Sequence, residues 1–111
     1  MMSITEKSIL NDIYEKCEKM ELRMSLFTEE EFYEDVTLQE SISADLFDIG
    51  GLVTKLPDTL LEECKEIDWK KFVSFREVAI EGKERILLKD IWDMAVEVSK
   101  TVKNCCESFI K

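Results

Sequence analysis

Apolar residues recur every three or four positions along most of the chain, which is the spacing of one face of an α-helix. The first such series follows Ser3 and Glu6, which stand three residues apart as in a capping box. This pattern predicts a first long helix that runs to about Met24. Its apolar positions are Leu10, Ile13, Cys17, Met20 and Met24.

Two further capping boxes predict the next helices. The box at residues 28–31 predicts one or two turns ending near Asp35. The box at residues 37–40 predicts a second long helix that opens at Thr37 and is stopped by Pro57. The apolar face of this helix carries Leu38, Ile42, Leu46, Ile49, Val53 and Leu56.

The second half of the chain predicts three more helices. Asp58 fits the N-cap of a short helix with the sequence "TLLEEC", and Asp68 fits the N-cap of a longer one that ends at Gly82. A third long helix begins around Leu88. Its apolar positions are Leu88, Ile91, Trp92, Ala95, Val98, Val102, Cys105 and Phe109.

The helix predicted at residues 69–82 carries an arginine in the middle of its apolar side. On a wheel of about 100° per residue, Arg76 falls among apolar side chains. A guanidinium stays charged in a protein and costs several kcal/mol, roughly, to bury without a partner. The position of Arg76 therefore needs a physical explanation. The apolar side chains on that side are Trp69, Phe72, Val73, Ala79 and Ile80.

Two adjacent glycines, Gly50 and Gly51, interrupt the second long helix. Each weakens a helix by about 1 kcal/mol relative to alanine. One interpretation is the close approach of another helix or another subunit, and the other is a local kink.

No segment alternates with period two for long enough to predict a strand, and only three glycines and one proline interrupt 111 residues. We therefore predict a single all-α domain over residues 1–111. It is a bundle of three long helices, the shorter helix with Arg76, and small connecting helices.

Charge and residue types limit the chemistry. The net charge of −10 argues against general affinity for RNA, although a local basic cleft is compatible with it. The chain has no histidine, which removes the commonest general base and metal ligand. The acidic run at residues 29–35 fits a solvated helix start better than a cation site. We expect no cofactor and no metal.

The four cysteines form no C-x-x-C motif, and two of them are adjacent in a predicted helix. We interpret Cys17, Cys64, Cys105 and Cys106 as buried thiols that act as small apolar groups, not as disulfide or metal ligands. No apolar run approaches the roughly 20 residues that a bilayer requires, and "MMSITEKSIL" lacks the pattern of a signal peptide. We expect a cytoplasmic protein.

The order of these segments resembles the HepT-like branch of the HEPN superfamily, which comprises small prokaryotic all-helical proteins. The resemblance covers about residues 5–109 and rests on three stretches: "EEFYEDVTLQESISADLFDIGGLVTKLP", "EIDWKKFVSFREVAIEG" and "LLKDIWDMA". The matching positions are Phe32, Asp35, Ile49, Gly50, Leu56, Pro57, Ile67, Trp69, Arg76 and Trp92.

This resemblance implies a role for Arg76. In the family an arginine is followed, after four to six residues, by a histidine, and two subunits pair so that both motifs face a cleft that cleaves RNA. The arginine holds phosphate, and the histidine exchanges a proton with the ribose 2′-hydroxyl or the leaving oxygen. An apolar helix face that borders such a cleft, and not a dry core, accommodates a charged side chain such as Arg76.

The chain departs from the family pattern where this chemistry resides. Arg76 matches, but Glu77 stands at a common asparagine position, Glu81 at the histidine position and Lys83 at a tyrosine position. A carboxylate is a weak base at neutral pH and repels phosphate. Lys83 does not accept, in the same way, the adenylyl groups that partner nucleotidyltransferases add to that tyrosine. We expect Arg76 to be neutralised by a carboxylate of its own helix or of a partner.

Three hypotheses follow from the resemblance. The first is a non-catalytic HepT-like domain that acts by association, as a homodimer and with a nucleotidyltransferase-type antitoxin partner. The second is a ribonuclease toxin with residual RNA cleavage through Arg76 with Glu77 or Glu81. The third is the substrate-binding subunit of a two-component nucleotidyltransferase. The missing histidine and the acidic charge count against the second, so we favour a protein that is not an enzyme.

Overall fold

The computed structural model describes residues 2–82 and 86–110, and every regular element in these ranges is helical, as predicted. The helices are α1 (Ile4–Leu26), α2 (Glu29–Glu34), α3 (Val36–Val53), α4 (Asp58–Leu61), α5 (Trp69–Glu81), α6 (Leu88–Glu97), a π-helical turn (Val98–Val102) and α7 (Lys103–Ile110).

Three long helical units form the core of the bundle: α1, α3, and the C-terminal helix, in which α6, the π-helical turn and α7 follow one another without a break. The prediction of three long helices is confirmed. α1 packs against α7 and the π-helical turn, and α3 packs against α1, α5 and α6. The side chains with no exposed surface at the centre include Ile13, Cys17, Met20, Phe32, Ile42, Leu46, Ile49, Phe72, Val98 and Val102.

The first two predicted capping boxes begin helices, whereas the third does not. The side chain of Ser3 accepts a hydrogen bond from the Glu6 amide at 3.1 Å. Thr28 and Glu31 form both bonds of a reciprocal box. α3, however, begins at Val36, because the Asp35 carboxylate accepts the Leu38 amide hydrogen at 3.0 Å. The prediction that Thr37 caps the start of this helix was wrong by two residues, since the N-cap is Asp35.

The ends of α3 and α5 are set by backbone geometry. α3 ends at Val53, earlier than Pro57 requires, and the three residues before the proline form a turn. Gly82 adopts a left-handed conformation with φ 64° and its amide donates to the Val78 carbonyl, which ends α5 as predicted.

α5 packs mainly against α3 and buries Trp69, Phe72 and Phe75. The predicted apolar stripe was therefore wrong at its C-terminal end, because Ala79 is exposed and Ile80 is 61% exposed. Ala79 lines an open groove between α3 and α6, where no other element of the described chain covers it, whereas Ile80 lies outside that groove.

The cysteine prediction holds for two residues and was wrong for two. Cys17 and Cys106 are buried thiols, but Cys64 and Cys105 form a disulfide bond with a Cα–Cα distance of 6.3 Å. The two bonded residues are 41 positions apart in sequence. Only the packing of the bundle brings them together, so no local spacing could have indicated the pair.

A search of the described helices finds none that is both long and apolar enough to cross a membrane.

The corrected start of α3 is testable. We expect Asp35→Ala to lower the free energy of unfolding by about 1 kcal/mol, because the Leu38 amide loses its acceptor. Thr37→Ala is the matched control and is expected to change stability by less than about 0.5 kcal/mol. Chemical denaturation measures both values. An equal loss at Thr37 would show that the helix starts there.

Candidate functional site

Arg76 lies on α5 with its guanidinium over the ring of Phe47 from α3. The guanidinium carbon is 5.0 Å from the ring centroid, which is the geometry of a cation–π contact. The side chain is half-buried, so it lies at the edge of the bundle and not within the dry core. This position explains how the apolar face accommodates a charge: the end of the side chain, including the guanidinium, packs on Gly51 and Phe47 of α3 at the edge of the bundle.

The adjacent glycines of α3 make room for α5. A Cβ atom on Gly50 would lie 2.4 Å from the carbonyl oxygen of Phe72, a distance that real Cβ atoms essentially never show. A Cβ atom on Gly51 would lie 3.1 Å from Nε of Arg76. α3 remains helical through both residues. The structure thus supports the close approach of another helix, and not the kink, as the role of this pair.

A groove of about 500 Å³ lies beside Arg76, between α1, the C-terminal end of α3 and α5. We call it the Arg76 groove. Four of its lining side chains are basic and three are acidic, in a chain of net charge −10. The lining of the groove is therefore net positive, whereas the protein as a whole is strongly negative. The lining residues are Asp12, Glu15, Lys16, Lys19, Phe47, Asp48, Gly51, Leu52, Thr54, Lys55 and Arg76.

Within the part of the chain that the structure describes, three of the four cations of this groove have no carboxylate partner. Lys16 pairs with Asp48 at 3.2 Å and lies 4.0 Å from Asp45. Within residues 2–82 and 86–110, the side chains of Lys19, Lys55 and Arg76 make no hydrogen bond and no ion pair, although Arg76 makes the cation–π contact with Phe47. Unpaired cations that converge on one concave surface favour an anion there.

The expected ion pair on the arginine's own helix is absent from the described residues. Glu77 and Glu81 are both exposed, and neither lines the Arg76 groove. Glu81 lies five positions from Arg76, or about 140° around the helix axis. Lys83 lies outside the described residues. The structure therefore does not bring Arg76 and Glu81 together in one site.

A second groove, of about 670 Å³, adjoins the first through Phe47, which lines both. We call it the apolar groove. It runs between α3, the C-terminal half of α5 and the start of α6. The apolar side chains that line it are Val36, Ala44, Phe47, Phe75, Ala79, Ile86, Leu88 and Ile91.

Sequence reasoning missed Phe47, Lys19 and Lys55. A signal for Phe47 was present, because residues four positions apart share a helix face and Phe47 precedes Gly51 by four. The two lysines had no such signal, since only the packing of α1 against α3 brings them near Arg76.

Among the residues that the structure describes, no group of three or more His, Cys, Asp and Glu side chains is arranged to hold a metal ion. The acidic run instead makes local contacts: the Tyr33 hydroxyl donates to Glu29, and Lys89 lies 3.5 Å from the same carboxylate.

Comparison with protein families gives a match that covers most of the chain. Residues 13–109 match the family model described as HepT-like, Ribonuclease HepT-like. No curated protein and no solved structure gives a match.

The two glycines of α3 should differ sharply in their tolerance of a side chain. We expect Gly50→Ala to lower the free energy of unfolding by about 1 kcal/mol or more, since overpacking against backbone outweighs the helix propensity gained. Gly51→Ala is the matched control, because its new methyl meets only the flexible side chain of Arg76. Its stability should stay within about 1 kcal/mol of wild type. Urea denaturation measures both, and equal effects would contradict this account of the helix contact.

Proposed function

The chain belongs to the HepT-like ribonuclease family, and from that premise we propose that it is a non-catalytic member that acts by association with protein subunits. The observation that carries the proposal is the separation of the two motif positions. Arg76 lines a groove, whereas Glu81, at the family's histidine position, is exposed outside it.

The chemistry of RNA cleavage supports this proposal. Cleavage through the 2′-hydroxyl needs one group that accepts a proton and another that donates one. The guanidinium of Arg76 holds its proton under all ordinary conditions, so it binds phosphate but transfers no proton. The carboxylates of Asp12 and Glu15, which also line the groove, oppose the approach of a phosphate. The chain has no histidine to perform the transfer.

We propose that the associating unit is a homodimer that pairs through the apolar groove. Its support is the C-terminal half of α5, which has the apolar pattern of a core helix yet is left exposed at Ala79 and Ile80. Val36 at the start of α3 and Leu87 beside α6 are also more than half exposed. Because Phe47 lines both grooves, a subunit in the apolar groove would lie next to Arg76.

A nucleotidyltransferase-type antitoxin is the further partner that the family resemblance implies. Lys83 stands where the modified tyrosine would be, so the proposed contact is one of binding and not of silencing by adenylylation. A role as the substrate-binding subunit of a two-component nucleotidyltransferase uses the same surface. Co-purification of a nucleotidyltransferase with the chain would test both roles. Measurement of the nucleotidyltransferase activity with and without the chain would distinguish them.

The second candidate function is residual RNA cleavage, and the unpaired cations of the Arg76 groove are the observation in its favour. Lys19, Lys55 and Arg76 together form a surface that accepts an anion. In such an enzyme Asp12 or Glu15 would have to serve as the proton acceptor, since they line the same groove.

Cleavage of a structured RNA separates these two functions. We expect the wild-type protein to show no more cleavage than Arg76→Ala, because the chain lacks a proton-transferring group at the histidine position. A general acid or base typically contributes about 10²–10⁴-fold to rate. The test variant is Glu81→His, alone and with Lys83→Tyr.

The three outcomes have different meanings. Cleavage by the wild type that is lost in Arg76→Ala would overturn the non-catalytic assignment. Cleavage only by the Glu81→His variants would show that the family cleft persists without its chemistry. No cleavage by any variant would agree with a purely associative role and would indicate that Arg76 is structural.

Sedimentation equilibrium tests the homodimer. We expect a species of twice the chain mass at micromolar concentration, because a stable interface of about 1,200 Å² or more would cover the apolar groove. Ala79→Arg places a charge in that groove and should yield the monomer without unfolding the protein. Leu22→Arg is the matched control on the exposed face of α1 and should remain dimeric. A wild-type monomer, or equal behaviour of the two variants, would contradict the proposed interface.

A further inference from the structure

The disulfide bond joins two parts of the chain that are otherwise weakly connected. Cys64 lies in residues 62–68, the non-helical connection between α4 and α5, and Cys105 lies on α7. α5 packs mainly against α3, and α4 packs closely against no other helix of the described chain. The bond is therefore the one covalent link, among described residues, between this connection and the C-terminal helix.

Cys64 is accessible from a surface groove of about 400 Å³. The walls of this groove include the apolar side chains of Leu61, Ile67 and Trp69. Cys64 is 7% exposed and Cys105 is 5% exposed, so both are covered, but Cys64 contributes to the groove wall and Cys105 does not. Of the two bonded cysteines only Cys64 lines this groove, so we infer that an entering thiol attacks its sulfur and not that of Cys105.

The other two cysteines do not take part in this chemistry. Cys17 and Cys106 are both buried. A hydrogen bond with the Cys106 thiol, together with burial, raises the pKa of Cys17. Because neither side chain has any exposed surface, an external thiol does not reach this pair in the folded protein. Exchange is thus confined to one pair of sulfurs.

The bundle itself does not require the bond. The side chains with no exposed surface belong to α1, α2, α3, α5 and the C-terminal helix, whereas Cys64 and Ile67, the buried residues of the connection, are 7% and 4% exposed within the same core. The contact of α5 with α3 at Gly50 is likewise independent of the cysteines. Opening the bond therefore frees a connection and leaves the core intact.

We propose that Cys64–Cys105 is a reversible thiol–disulfide exchange site, which holds the α4–α5 connection against α7 when oxidised and releases it when a dithiol reductant acts through the adjoining groove.

The dithiol reductant supplies the electrons and protons for the exchange. One thiolate of the dithiol attacks Sγ of Cys64, the bond to Cys105 breaks, and Cys105 leaves as a thiolate that takes up a proton. The second thiolate of the dithiol then attacks the dithiol sulfur that is bonded to Cys64. The bond to Cys64 breaks, and Cys64 leaves as a thiolate that takes up a proton. In sum two electrons and two protons pass to the protein, and the dithiol becomes a disulfide.

Opening the disulfide bond affects the start of α5 first, because that end of the helix adjoins the released connection. The indole N–H of Trp69, the first residue of α5, donates to the Leu61 carbonyl at 3.0 Å, across the same connection. With the bond open, residues 62–68 are retained by this hydrogen bond, by the packing of Ile67 and by backbone hydrogen bonds within the turn, such as that from the Cys64 amide to the Leu61 carbonyl. Lys65, at the centre of the connection, is exposed and follows Cys64 directly, so it reports on the release.

Limited trypsin digestion of the full-length protein tests the proposal, with dithiothreitol as the reductant and oxidised glutathione as the oxidant. We expect cleavage after Lys65 to be at least tenfold faster in the reduced protein, and to return to the slow rate after re-oxidation. Cleavage after Lys7 on α1 is the internal control and should not change. Cys64→Ser/Cys105→Ser should cleave at the fast rate under both conditions, and Cys106→Ala should behave as wild type.

Mass spectrometry after alkylation counts the thiols, and far-ultraviolet circular dichroism monitors the helices. The proposal requires two free thiols after oxidation, four after reduction, and the same helix content in both. Four free thiols in the oxidised sample would overturn it. Cleavage at Lys65 that does not respond to dithiothreitol would also overturn it. A loss of helix on reduction would show a bond needed for folding, and would equally overturn it.

Discussion

The contact between the backbones of α3 and α5 is the constraint on which the rest of the candidate site depends. At Gly50 the two helices come so close that a single methyl group would overlap the Phe72 carbonyl oxygen. This closeness brings the stem of Arg76 against Gly51 and its guanidinium over Phe47. Both grooves share Phe47 as a wall, so the separation of α3 and α5 determines the shape of each.

Charge distribution gives the Arg76 groove a character that the chain as a whole lacks. The protein carries a net charge of −10, yet four cations and three carboxylates line this groove. One of those cations, Lys16, is paired with Asp48. The remaining cations are solvated, and a partly enclosed surface concentrates their field. Recognition of an anion and transfer of a proton are separable properties, and the unpaired cations of the groove serve the first.

Much of the fold could be predicted from local signals, whereas most of the site could not. Apolar spacing and the boxes at Ser3 and Thr28 located the helices because both act within a few residues. The start of α3 was misplaced because Asp35 competes with Thr37 for the same role, and sequence alone does not rank the two. Arg76 was identified from its odd position.

Most of the missed features share a cause. Lys19, Lys55 and the Cys64–Cys105 pair depend on which elements become neighbours, and this is decided by the packing of the whole bundle. The exposure of Ile80 was missed for the same reason. An apolar pattern indicates that a face is to be covered, but it does not indicate whether the cover belongs to the same chain.

The disulfide bond also has a topological consequence. Together with the backbone it closes a covalent ring that contains all of α5, and therefore Arg76, while α1 and α3 lie outside the ring. The Arg76 groove is thus formed between a closed loop and an open chain. A single break in the backbone anywhere within the ring would leave both fragments joined by the disulfide bond. In oxidised protein cleaved there, Arg76 would therefore remain covalently attached to α1 and α3.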